Sequence, residues 1–471
     1  MKKAIFAGAS VIALGLASPA LAQDNGISIN QQGDDNSAVS VQNKEDNSSS
    51  IVQDGDANKA NVLQNGNRGS SVVEQNGTNQ ARAVQGTATA DAISQIKQDG
   101  DANAAVVNQQ AGRDVRSYVS QEGTDQTANV FQSGDDNFSA VRQAQNNNTA
   151  NVAQTARGNF SSVIQNGEEG LVNVTQSGRA NATFVNQDAN ADRTTARVVQ
   201  SGDTNGSVIR QDDDDSSTYH YQSGDRNFAY TDQGSSDSSS TISQTGNRNV
   251  ATVVQGDVSA FQTSAISQSG DRNVAVVAGQ GVDFLGPQGD DNNSSSIVQS
   301  GDDNFGFVRQ DAGNSTHSLF QGGDDNVSRT TIGDDSAAGD PSFSVPSGTS
   351  ARISQVGNSN LSVVSAAADN SSVFVSQVGN GNVSGVAQLS GGSDNFASVL
   401  QSGNGGLSAI VQNGNGNRAS VNQGGNSNAS VILQTGNLNS ASVSQSARAN
   451  ATSIIQNGEG NVAVASQNGS F

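Results

Sequence analysis

Glutamine returns every 11 residues along most of this chain, and polar and apolar or small positions alternate between successive glutamines. One series runs Gln31, Gln42, Gln53, Gln64, Gln75, and the last runs from Gln401 through Gln412 and Gln423 to Gln467. The unit reads Q-x-G-x-x-N-x-[AS]-x-[VI]-x, seen in full from Gln53 through Gly55, Asn58, Ala60 and Val62 to Gln64. Period two is the period of a strand, so Asn58, Ala60, Val62 and Gln64 share one face while Lys59, Asn61 and Leu63 take the other. The Gly-x-x step accepts the backbone angles of a tight turn. Each unit is therefore a short strand plus a turn, and two units bring the chain back to its starting side. The fold expected is all-β: a β-solenoid of stacked 22-residue rungs, two short strands each, with two parallel sheets facing each other. An 11-residue repeat also suits a right-handed helical coiled coil, but Gly and Asn in every unit and the period-two inward set exclude it.

Stacked rungs set like side chains above one another at about 4.8 Å. An amide carries both donor and acceptor, so it can bond the amides above and below. The expected structural ladders include Gln53, Asn58, Gln64, Gln132, Asn137 and Gln143 early in the chain, and Gln299, Asn304, Gln310, Gln412, Asn417 and Gln423 later. Such ladders explain how a chain with 33% hydrophobic residues can order its interior. Three spacings of 13 residues, Gln187–Gln200, Gln255–Gln268 and Gln388–Gln401, mark insertions. Irregular segments are expected near 85–109, 278–288 and 333–354, the last two with Pro287, Pro341 and Pro346, because proline cannot donate to a ladder. Ala366 stands where a glutamine is due.

Residues 1–22 read as a signal peptide: Lys2 and Lys3, an apolar run from Ala4 to Leu16, and Ala20-Leu21-Ala22 before Gln23. Residues 23–471 form the exported solenoid, and no stretch is long and apolar enough to insert in a membrane. Removing Lys2 and Lys3 takes the net charge from −21 to −23, which opposes binding to nucleic acid and keeps an aggregation-prone chain soluble. Cysteine is absent, so neither disulfides nor thiolate sites contribute. With two histidines and no catalytic motif, the chain is expected not to be an enzyme and to use no cofactor. The turns are too short and uniform for the cleft of a β-helix polysaccharide lyase, and the strands lack the T-x-T array of an ice-binding surface.

Four aspartates in turns are the chemical candidates. Asp302-Asp303 and Asp324-Asp325 lie 22 residues apart, on adjacent rungs. They suit gatekeeping against premature aggregation or weak cation binding by oxygen ligands. His220, between Tyr219 and Tyr221, falls on the inward Val/Ile position, and His317 is expected outward and solvated. Phe138 and Phe160, one rung apart and outward, suit a small surface ladder.

The repeat resembles the curlin repeat of curli fibre subunits. Gln53, Gly55, Asn58, Ala60 and Gln64 carry the pattern, as do Gln412, Gly414, Asn417, Ala419 and Gln423, and the resemblance extends over nearly all of Gln31 to Gln467. It implies a secreted, extracellular, cell-surface fibre of functional amyloid that serves biofilm matrix, adhesion and cell aggregation. It also implies self-association and a dedicated export pore and nucleator as partners. The residues add their own reason for fibres: repeats run from near Ile27 to Gln467 without a distinct capping sequence, and open sheet edges favour head-to-tail stacking. The alternative is a secreted solenoid that binds a surface without polymerising.

Overall fold

In the computed structural model, alternating inward and outward side chains produce a parallel β-solenoid of about 19 turns with no helix among the described residues. Those residues are 24–256, 260–280, 292–311, 313–333 and 347–468. The expected signal peptide, Pro287, Pro341 and Pro346 lie outside them. The chain divides into two compact units at Asp225/Arg226, each built in the same way.

In the first unit each strand pairs in parallel with the strand one turn away, usually 22 residues on. Thr149–Thr155 aligns with Thr127–Ser133 on one side and Leu171–Ser177 on the other, with Gln154 between Gln132 and Gln176. The burial of Phe160–Gln165 alternates strictly, with Ser161, Val163 and Gln165 inside. Through the segment expected to be irregular, the chain runs as two long strands, Ser70–Ala90 and Ile93–Arg113, that carry pairing through the turn. Register slips there between Thr78 and Gln80, between Gln85 and Ala88, and again between Gln109 and Ala111. These long strands join the pairing into one continuous parallel sheet. The 13-residue spacing at Gln187–Gln200 leaves the strands aligned: Gln176 still pairs with Gln200, so the extra residues lie in the turn after Gln187.

The second unit repeats the scheme, as in the alignment of Leu407–Asn413 with Val383–Gln388 and Ala429–Thr435. Its core stacks Ile242, Ile266, Ile297, Leu319, Ile353 and Val375 at successive levels, each 1% exposed or less. The irregular segment ends in an ordinary strand, Ser350–Val356, aligned with Thr316–Gly322. Register also survives the long spacing at Gln388–Gln401, where Gln388 pairs with Gln412 and Gln377 with Gln401.

The turns repeat one backbone pattern. In most turns the glycine two residues after the Gln takes φ near +100°, as at Gly178 (φ 108°), and the residue that closes the turn, usually just before Asn, is left-handed whatever its side chain. Asp35, Ala57, Arg193 and Leu438 all lie there at 54–56°. L-residues pay for this conformation with roughly 1–2 kcal/mol, and Gly381, Gly405, Gly416 and Gly460 relieve it late in the chain.

The glutamine ladder and the turn edges

The inward glutamine sits last on its strand, so its side chain reaches across the interior as well as along it. Gln154 accepts from Gln132 (2.9 Å), donates to Gln176 (2.9 Å), and donates to the Phe138 carbonyl (2.9 Å), which opens the strand across the interior. Gln53 and Gln64 do the same with Gln75 and Gln85, both at 2.9 Å. Gln143 donates to Gln165 (2.9 Å), Gln299 to Gln321 (2.8 Å), Gln412 to Gln434 (3.0 Å) and Gln423 to Gln445 (2.9 Å). Each of these bonds runs from the Nε2 of one glutamine to the Oε1 of the glutamine one turn later in the chain, so the ladder has a direction. All of these glutamines are at most 2% exposed.

Two apolar residues break one glutamine column. Gln310 aligns with Ile332, Ile332 with Ala366, and Ala366 with Gln388. Gln310 donates instead to the Ser294 carbonyl (3.1 Å). Beyond the gap, Gln388 Oε1 is buried without a partner, because Ala366 has no Nε2 to offer it. Ala366→Gln alone moves the orphan acceptor one level back, whereas Ile332→Gln with Ala366→Gln completes the column. The double variant should be about 1–2 kcal/mol more stable than its two singles predict, which a double-mutant cycle of urea unfolding measures. Conversely, Gln154→Leu leaves Gln176 Oε1 without its donor and should cost roughly 2–3 kcal/mol at those levels, read by hydrogen exchange.

Asparagine forms part of the amide ladder expected for it, with Nδ2–Oδ1 bonds running from Asn227 to Asn382, and adds a second role. Its short side chain ties the corner to the backbone above and below. Asn137 donates to the Gly134 (3.0 Å) and Ala156 (2.8 Å) carbonyls, while its Oδ1 accepts the backbone N–H of Asn159 (2.9 Å). Asn58 accepts from the Asn79 N–H (2.9 Å) and Asn417 from the Asn439 N–H (3.1 Å). Asn304 adds an amide bond to Asn273 (3.0 Å) and donates to the Gly323 carbonyl (2.7 Å). Glutamine cannot copy this. At the same corner Gln126 keeps its donor bonds to the Glu122 and Gln145 carbonyls, but its Oε1 is buried without a partner. The ladders do not satisfy every polar group either: the inward hydroxyls of Ser49, Ser71, Ser117, Ser139 and Ser161 are buried without partners.

The acidic turns have a structural use that spacing alone did not reveal. Asp302 Oδ1 accepts the Asp271 N–H (2.7 Å), and Asp324 Oδ1 accepts the Asp302 N–H (2.9 Å). Asp303 instead forms a two-pronged ion pair with Arg272 (2.6 and 2.5 Å), whose hydrogen bonds and charge hold its carboxyl below the usual range. Asp325 takes the left-handed position of its turn (φ 57°). Asn358 continues the Asp302–Asp324 row by accepting the Asp324 N–H (3.0 Å), and Asn380 and Asn404 extend it. Among the described residues no three His, Asp or Glu side chains converge as metal ligands, and no helix is long and apolar enough to cross a membrane.

His220 is inward as expected, fully buried, with Nδ1 2.8 Å from the Ser207 hydroxyl. His317 corrects the expectation of an outward, solvated ring. It lies seven residues after Gln310, on the inward small-residue position between Ser295 and Ala351, and is 3% exposed. Neither ring nitrogen has a hydrogen-bond partner, and burial pushes the ring's pKa down to about 3, as it does for His220. Phe138 and Phe160 stack at 5.1 Å and are extended by Tyr118 and Phe184 into a four-ring stripe.

Compared with known families, the chain is similar to the curlin associated repeat over residues 350–379, 392–424 and 419–446. No curated protein matches the sequence significantly.

Proposed function

We propose that this chain, which carries curlin associated repeats between residues 350 and 446, is a secreted structural subunit of a curli-like extracellular amyloid fibre and not an enzyme. On this reading each 22-residue turn gives one strand to each of two facing sheets. The fibre lies at the cell surface and contributes to biofilm matrix, adhesion and cell aggregation. An export pore and a nucleator deliver and start it.

The observation that carries the reading is the direction of the glutamine ladder together with an open edge. In the turn formed by Ala451–Asn457 and Val462–Gln467, Ile455, Val462 and Val464 are 71–76% exposed. Gln456 and Gln467 there offer Nε2 donors outward from the stack. At the other end Gln42 Oε1 is buried without a partner, and Gln31 gives its Nε2 inward to Gln53 (2.7 Å). Donors at one edge and acceptors at the other suit a heterologous contact between copies, the kind of contact from which filaments are built. Inward residues also match in kind: Ile454 would meet Ile29, and Ala463 would meet Ala38.

Incubating residues 23–471, seeded and unseeded, should give thioflavin-positive filaments. A protein that stays monomeric for days under both conditions overturns the reading and leaves the non-polymerising adhesin.

A further inference from the structure

The second unit loses the alternation that the repeat keeps elsewhere. Leu361–Ala366, Val383–Gln388, Leu407–Asn413 and Ala429–Thr435 are successive parallel neighbours. Of their fourteen outward positions only Ser365 and the strand-end Asn413 and Thr435 are polar, and none is charged. Val363, Leu407 and Val431 are 44%, 49% and 43% exposed. Gly385, with nothing within 4 Å of where a Cβ would stand, opens a hollow between Val363 and Ala409. The strands of the alternate row become polar only late: Ser372–Val378 and Phe396–Ser402 turn Phe374, Phe396 and Leu400 outward beside serines, whereas Arg418–Gly424 and Ser440–Gln445 turn out Arg418, Ser420, Asn422, Ser440, Ser442 and Ser444. A water-facing row needs no valine or leucine, and a contiguous apolar face of this kind marks a surface that becomes covered.

Charge narrows what covers it. Residues 347–468 hold three acidic and three basic side chains, so the whole excess of −23 in the exported chain lies before them. A second copy can approach this face without the repulsion that the rest of the molecule imposes. Both copies present the same columns at the same ~4.8 Å strand spacing, so Leu and Val ridges can seat in the Gly385–Ala409 hollow as in a dry sheet-on-sheet contact about 10 Å deep. Area then fixes when this happens. Four levels of strand cover roughly 16 by 19 Å, or about 300 Å², well under the ~800 Å² per partner of a stable complex. One pair of subunits is therefore too weakly joined to persist, but subunits stacked in a filament repeat the contact along its length.

We infer that the outward face of Leu361–Leu433 is the lateral interface by which filaments of this protein pair, its occupant being the same face of a second copy. The inference rests on the fibre reading above. Filaments of three proteins distinguish the two: wild type, Val363→Lys/Leu407→Lys/Val431→Lys, and a control with Ser420→Lys/Ser442→Lys on the serine-bearing strands. Thioflavin reports filament mass, and electron microscopy reports filament width. Wild type and control should form paired filaments, whereas the apolar-face triple variant should elongate at a similar rate into single filaments of about half the width. Should the triple variant misfold, Leu407→Ser/Val431→Ser gives the same separation more gently. Single filaments from wild type, or pairing by the triple variant at wild-type width, overturns the interface while leaving the fibre. No filaments from wild type overturns both.

Discussion

Gly178→Val should destabilise its turn by about 4 kcal/mol, seen as a collapse of hydrogen-exchange protection in Leu171–Ser177 and Thr195–Ser201. Two effects add. A φ of 108° is closed to a β-branched residue, and a Cβ at Gly178 would lie 2.0 Å from the Gly202 carbonyl oxygen of the next turn. That oxygen cannot withdraw cheaply, because it accepts from Asn181 Nδ2 (2.9 Å). Alanine should cost only about half as much. The chain itself shows the route: Ala156 and Gln145 occupy the same turn position by closing φ to 74° and 64°. The rest of the molecule should keep its protection, since each level of a solenoid touches only its neighbours.

Acid should unfold the chain chiefly through His317 and His220. Both titrate near 3 when folded because they are buried, against about 6.5 in an unfolded chain. As pH falls through 6.5 the unfolded chain binds protons that the folded one refuses, so their contribution is complete above that value and is lost progressively toward pH 3. At pH 4 the loss is about 3 kcal/mol for each ring. His317→Ser, which puts the residue of neighbouring Ser295 into the same column, should remove half of this slope between pH 6.5 and 4 in urea unfolding. An unchanged slope would mean that the ring is hydrated or paired in solution. Asp303 and Asp215, depressed by Arg272 and Arg193, add loss at lower pH that His317→Ser leaves in place.

The regular part of this architecture is readable because the repeat makes the same statement at many levels. Inward glutamine, asparagine, small and Val/Ile positions follow from period two alone, and the Gln132–Gln154–Gln176 column lies where counting in elevens puts it. What was not legible depends on side-chain length and on backbone partners. Spacing cannot tell that asparagine reaches the N–H of the next corner while Gln126, one methylene longer, does not. Nor does it reveal that Asp302 and Asp324 hold the backbone of the preceding turn. His317 needed only a strict count of seven from Gln310, which puts its ring on the inward small-residue position. The apolar face from Leu361 to Leu433 was also open to counting, but only with the outward columns read as carefully as the inward ones.

Head-to-tail stacking by a one-way amide ladder is tested most directly by one cross-linking measurement. The chain has no cysteine, and stacking that sets Gln456 against Gln31 puts outward Ser453 of one copy beside Ser28 of the next. Neighbouring strands at about 4.8 Å lie within the reach of a disulfide. Filaments of the Ser28→Cys/Ser453→Cys double variant, mildly oxidised and run without reductant, should give a ladder of covalent multimers, and each single variant should stay monomeric. Disulfide dimers from either single variant would mean that identical segments stack on each other, and monomers from double-variant filaments would mean that the two edges do not meet; either result contradicts the account.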